Sequence, residues 1–479
     1  MLIKIKKSEF FKFFFILGFI FCLAYNFYLG IAEIPVYFIT LIFFIFFTLI
    51  LCSNIFISSV ISWSKTIIFK IFAFLFFWII LGIIVSYNSA TLNIGEVLRA
   101  LIGGFIFSIF LPYIFAYFGS SKIFTIEGIA RVIFFIFLLL YTIGIIEFFS
   151  ALFNVSFVKS IMEVVRPSRI LFIHGFPRIM SLFKEPSHYA EFLVLSLPIS
   201  YSLCFSRHKF IKYSKLDFIL KKLAFGFMVF NLIATQSPIF VILFIIIILI
   251  YLIKKYVKTT LVSLILNLNL VCLIGIVLLM GVLENFNIDL TTTFLNRAGI
   301  AINCILKDPL ALVYLEPSLA TRIIVFTGDL SIFQKNPIFG VGYGNLTSEI
   351  VQYILNSNLP LTVELQKRMF MEGPAGITSS ILFRYLAETG MVGTFLLYSI
   401  FFSLLNGLNK KLKYYHGLEK EFLTGMKYFL IILIFLSWYC ANVHLPILWV
   451  LMGIINAAII YKPKKINYIN KNHLLTGDN

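Results

Sequence analysis

The strongest constraint on this chain is the recurrence of long apolar runs. They fall at residues 10–30, 34–51, 67–87, 97–118, 132–153, 190–205, 223–235, 239–253, 261–283, 381–405, 428–440 and 445–461. A run of about 20 apolar residues is the length that crosses a hydrocarbon core as a helix. The expected fold is therefore an all-α polytopic membrane protein with about 12 transmembrane helices, the whole of 1–479 forming one membrane domain. Runs 223–235, 239–253 and 428–440 are short for this and are expected to tilt or break. The composition is 61% hydrophobic and 13% charged, where a soluble domain carries about a quarter charged residues. The first run follows the basic start "MLIKIKK". It is too long for a signal peptide and no small-residue cleavage site follows, so a retained first span is expected.

A net charge of +18 invites a nucleic-acid reading, but in a membrane protein the placement of charge matters more than its sum. With the N-terminus inside, the inner connections are Lys65 to Lys70, Lys122 to Arg131, "RHKFIKYSKLDFILKK", "KKYVK", "NKKLKYYHGLEK" and "KPKK". The alternate short connections, "IAE", "SYNSATLNIGE" and "ANVHLP", hold no Lys or Arg. This bias predicts that both termini are cytoplasmic, and no nucleic-acid partner is expected.

Two outer connections are long: a first outer loop at 154–189 and a large one at 284–376, between the ninth and tenth runs. Long loops translocate whatever their charge. The second is expected to be folded, because "TRIIVFTGDLSIFQKNP" spaces its apolar residues as a helix does and stops at Asn336-Pro337. It carries "NPIFGVGYGNL", with Gly340, Gly342 and Gly344 at alternate positions. Asn345 stands where the third glycine of a dinucleotide fingerprint would fall, and no Gly-Lys-Ser/Thr follows. A tight turn needing positive φ is the simplest reading; bare backbone that lets a bulky or anionic substrate approach is the functional one.

The first outer loop concentrates charge in "RPSRILFIHGFPRIMSLFKEPSHYAEF", with Arg178 and Glu185 confined between Pro177 and Pro186. Arginine forks hold phosphate oxygens without a metal. Glu96, Arg99, Glu147, Glu191, Arg384, Glu388 and His444 all fall toward the predicted outer ends of spans. Ionisable groups at membrane depth face a protein interior or a wet cavity, or reach to the interface. The shared side favours a polar cavity opening outward. No Asp-x-Asp, His-Glu-x-x-His, Gly-x-Ser-x-Gly or Cys-x-x-Cys occurs, so no metal site, cofactor or nucleotide-sugar chemistry is expected.

Three stretches together resemble the O-antigen polymerase and ligase family of bacterial polysaccharide assembly: "RIMSLFKEPSHYAEFLVLSLPIS", "TRIIVFTGDLSIFQKNPIFGVGYGN" and "FRYLAETGMVGTFLLYSIF". The last opens with Glu388, Gly390 and Gly393. The resemblance implies a metal-independent glycosyltransferase on the outer face of the bacterial cytoplasmic (inner) membrane. Its donor, and in a polymerase its acceptor too, would be an oligosaccharide on a polyprenyl diphosphate. Arg178 and Arg322 match the arginines expected to hold the diphosphate, with Arg384 adding charge; Gly340, Gly342 and Gly344 would line the same site. Glu185 and His188 are the candidates for the base. Family ligases carry a His-Asn pair where this chain has Ser379 and Ser380, which points toward a polymerase of O-antigen or capsule type. Partners implied are the bilayer, a flippase and a chain-length regulator. The alternatives are a ligase-type transferase and a lipid-linked oligosaccharide flippase. A flippase would place charges deep in its spans and keep its loops short.

Overall fold

The computed structural model describes residues 61–86, 93–120, 124–157, 176–183, 186–211, 213–235, 317–357, 380–437 and 446–460. It also describes short pieces at 171–173, 314, 361–362 and 365–366 and scattered residues between 12 and 42. The runs at 239–253 and 261–283, and most of those at 10–30 and 34–51, lie outside the described residues.

Helices dominate. In chain order they are α1 (Ile67–Val85), α2 (Ile94–Phe118), α3 (Ile126–Leu152), α4 (Pro186–Cys204) and α5 (Ser214–Ala234). Then come α6 (Pro317–Lys335), α7 (Leu346–Asn356), α8 (Ile381–Lys411), α9 (Gly417–Leu436) and α10 (Pro446–Ile460). Among the described residues four helical stretches are long and apolar enough to cross a membrane: α1, α2, α3 and Ile381–Tyr414. Two small antiparallel ladders interrupt the helices: Tyr28–Leu29 with Ile34–Pro35, and β1 (Leu171–Ile173) with β2 (Phe176–Arg178). Polar side chains cap the helices where the sequence offers them. Thr66, Asn93, Thr125 and Ser380 each accept an amide N–H from the first turn that follows, satisfying donors that have no partner within the helix.

Close packing rests on small residues. Gly453 of α10 lies against the backbone of Tyr113 and Tyr117 in α2, and Gly425 of α9 lies on the backbone of Pro198 and Ile199 in α4. In lipid, where there is no hydrophobic drive between helices, such small residues let backbones approach. The α4–α5 turn is pinned by a buried pair, Lys221 Nζ to Asp217 Oδ2 at 2.9 Å. Asp217 Oδ1 also accepts the amides of Phe210 (2.6 Å) and Ile211 (3.0 Å), while Lys221 donates to the carbonyls of Ser206 and His208. Burial raises the Asp217 pKa, but Lys221 and the two amides outweigh it and leave the carboxyl below its ordinary value.

The ionised carboxylate therefore stabilises the fold above the unfolded value of about 3.9. That contribution disappears as pH falls through the lower folded value. Asp217→Asn should cost about 1.5–3 kcal/mol at neutral pH, the scale of hydrogen bonds to a charged group. Apparent melting temperatures in detergent should show the gap from wild type closing as pH drops below about 4.

The tenth run departs from expectation. It was read as one span over 381–405, yet α8 is two helices merged across Gly390, which sits at φ 66° and ψ −170°. Contacts prove the bend. The Leu382 amide donates to the Ser437 carbonyl at 3.0 Å, and the Tyr398 hydroxyl meets the Ser437 hydroxyl. A straight helix would separate residues 382 and 398 by about 24 Å, too far for both to reach one residue. Residues 381–389 thus form a short arm folded over the start of the 391–411 helix.

Candidate functional site

The glycine-rich turn fills the bend of α8. Helix α6 ends at Lys335, and the chain then turns through Pro337 into three glycines with φ of 68°, 90° and 86° at Gly340, Gly342 and Gly344. L-residues rarely adopt such values. Each glycine meets a different element. A Cβ at Gly340 would collide with the backbone of Ala387 and Glu388. At Gly342 it would press on Ser86 (Oγ at 3.1 Å), at the end of α1, and at Gly344 on Val97 and Ala100 of α2. The space beside all three is occupied by protein, so their smallness serves helix packing.

The turn also satisfies the broken helix. A break takes helical partners away from backbone groups on either side, which is costly at membrane depth. The Met391 amide donates to the Pro337 carbonyl (2.9 Å), the Val341 amide to the Ala387 carbonyl (2.9 Å), and the Trp78 indole N–H to the Thr389 carbonyl (3.0 Å). The Trp78 ring stacks on Phe339 at 4.7 Å. Trp78→Phe keeps that stacking and removes the donor. The stranded carbonyl should cost about 1–3 kcal/mol, read as a lower apparent melting temperature.

Under the turn, the folded arm holds Arg384 and Glu388 one helical turn apart. Arg384 donates through Nε and Nη2 to Glu388 Oε1, both at 3.2 Å. Glu388 is fully buried, whereas the Arg384 side chain keeps 15% exposure. Tyr343 of the turn packs edge-on to Tyr385 at 6.0 Å. Burial pushes the Tyr343 phenol well above its ordinary range, and Tyr385 and Glu388 push the same way; it stays a proton donor.

Arg322 is half-buried on α6, one turn before Phe326, whose ring meets Phe383 edge-on at 4.4 Å. Arg322 and Arg384 thus lie on packed helices. Arg178 ends β2, half-buried, with Nε donating to the Thr235 carbonyl at the end of α5 (3.1 Å). His188 is half-buried in the first turn of α4, where Phe183 and Tyr189 stack at 5.4 Å. Glu185 lies outside the described residues. The described contacts thus fall in two regions: Arg178 at the end of β2 against α5, with His188 further along on α4, and Arg322 and Arg384 on the packed α6–α8 pair with the turn. Helix α9 links them. It runs antiparallel to α4 from the Gly425–Ile199 contact, so Ser437, twelve residues further along, is level with the start of α4, twelve residues back. Ser437 also holds the folded arm of α8.

Residues 223–398 match the family model described as O-antigen ligase. The match supports an assignment to the O-antigen polymerase and ligase family. It covers α5, α6, the glycine turn, α7 and the bend of α8, and so includes Arg322 and Arg384. Arg178 and His188 lie outside the matched segment. No curated protein matches the chain. Where family ligases carry the Asn of their His-Asn pair, Ser380 here is an N-cap, its hydroxyl accepting the Phe383 amide at 3.3 Å.

Trp78 supports this region without having been singled out in the sequence. Glu147 was visible only as a charge near a span end, and Trp78 carried no signal.

Proposed function

We propose that the protein is a polysaccharide polymerase that joins oligosaccharide repeat units carried on polyprenyl diphosphate at the outer face of the cytoplasmic membrane. The observation that carries this reading is the folded arm of α8. It fixes Arg384 by a buried carboxylate, on an arm packed through Phe383 against the helix that carries Arg322, within the family-matched segment, and the charge pattern of the sequence assigns this end outward.

On that face the energy has to arrive in the donor bond itself. The acceptor hydroxyl of one lipid-linked unit attacks the anomeric carbon of another. The bond from that carbon to the diphosphate oxygen breaks, the electron pair leaves with the lipid diphosphate, and the hydroxyl proton passes to a base. Arg178, Arg322 and Arg384 stabilise the departing charge where water screens poorly. His188 or Glu185 takes the proton. The three glycines act by seating the turn that holds Arg384 in place. Ser379 and Ser380 in place of the His-Asn pair of family ligases favour polymerase over ligase.

The test is elongation by purified protein in detergent, supplied with lipid-linked repeat units from cells lacking this chain. A ladder of lipid-linked products formed in excess EDTA supports a metal-independent polymerase. Transfer only to a lipid A core acceptor would indicate a ligase. No product, with lipid movement in vesicles, would indicate a flippase.

A further inference from the structure

Between Arg178 and α4 the chain makes a tight strap, residues 179–183, whose anchor is a carboxylate thirty-odd residues upstream. Glu147, in the last turns of α3, accepts the Ser181 amide through Oε2 at 2.7 Å. It also accepts the Met180 amide through both oxygens, at 3.2 and 3.3 Å. Ser181 adopts φ 50°, a left-handed conformation unusual for a residue other than glycine, and its hydroxyl donates to the Leu140 carbonyl at 3.0 Å. Successive amides in such a bend form a concavity that binds anions. Glu147 and Ser181 are fully buried and Met180 is 1% exposed, so this concavity is filled from within and closed to a ligand. On its other side the strap is tied to α5, by Ile179 N–H to the Ala234 carbonyl and Arg178 Nε–H to the Thr235 carbonyl.

We infer that Glu147 is a positioning residue for Arg178: its carboxylate sets the strap, and the strap aims the guanidinium. The inference rests on the reading of Arg178 as a diphosphate ligand. A charged anchor at membrane depth is expensive unless hydrogen-bonded, and main-chain amides of this segment meet that need. Glu147→Gln keeps the shape but replaces one acceptor by an N–H donor that opposes the strap amides.

The experiment uses the full chain in detergent and two readouts. Hydrogen exchange over 179–183 should be faster in E147Q than in wild type. Elongation of lipid-linked repeat units from cells lacking the protein should slow by about ten- to hundredfold, the cost of a misplacement near 1 Å. Adding E147Q to R178A should cost nothing further, because both act through one guanidinium. Unchanged exchange, full activity in E147Q beside a slow R178A, or losses that multiply would overturn the inference alone. Full activity in R178A would instead remove the reading it rests on, while exchange still reports the anchor. Should E147Q fail to accumulate, E147D, which withdraws the charge by one methylene, reads the same two quantities.

Discussion

Gly390→Val should abolish accumulation of folded protein, the largest effect expected from any single substitution in the described residues. At φ 66° and ψ −170° the residue sits in a region open essentially to glycine, and a side chain there costs about 1–3 kcal/mol in backbone strain alone. A Cβ would also fall inside the Ile338 carbonyl and against the Phe339 amide. Moving that backbone away releases the Met391–Pro337 and Val341–Ala387 hydrogen bonds together. Against a net stability of about 5–15 kcal/mol, strain, overlap and two stranded pairs exceed what the fold tolerates. Size-exclusion profiles of detergent extracts measure this directly. Gly226→Ala is the control. It lies in the interior of α5 with open space around it, and it should gain stability by up to about 1 kcal/mol. Equal behaviour of the two variants would refute the bend as a structural necessity.

Arg178→Ala and Arg322→Ala should each reduce elongation about 10²–10³-fold, the usual loss when one preorganised charge donor is removed from a developing anion. These two are more informative than Arg384→Ala. That change leaves Glu388 buried without its cation, a defect of about 3–5 kcal/mol that would confuse folding with chemistry. Arg178 and Arg322 are both half-buried, and Arg178→Ala also strands the Thr235 carbonyl at about 1–3 kcal/mol, so the comparison is made at a temperature where melting curves show both variants folded. Turnover should fall more than donor affinity, because the charge matters most as the diphosphate departs. Wild-type turnover in both variants would end the diphosphate assignment.

What the sequence made legible was mostly what depends on neighbours in the chain. Helix α6 follows from its apolar spacing and stops, as expected, just ahead of Asn336-Pro337. The positive φ of the glycine turn was read from the glycines themselves and is present at all three. The charges of Arg384 and Glu388, four residues apart in a helix, meet as that spacing implies. Long-range consequences were not legible. Gly390 looks like any glycine in an apolar run, and its conformation is imposed by Ile338 and Phe339, some fifty residues earlier. Glu147 is partnered by amides, which every residue but proline possesses, so no residue type in the first outer loop could announce it.

The seating of the glycine turn in a cracked helix carries a lesson for anyone exchanging this segment between related proteins. The segment 336–346 is keyed at Gly340, Gly342 and Gly344 to three other stretches of chain. A transplant that moves it alone would arrive with the wrong lock. Grafts that bring Trp78, the 82–100 region and 381–393 from the same source should fit, and those cut at the segment's own ends should not.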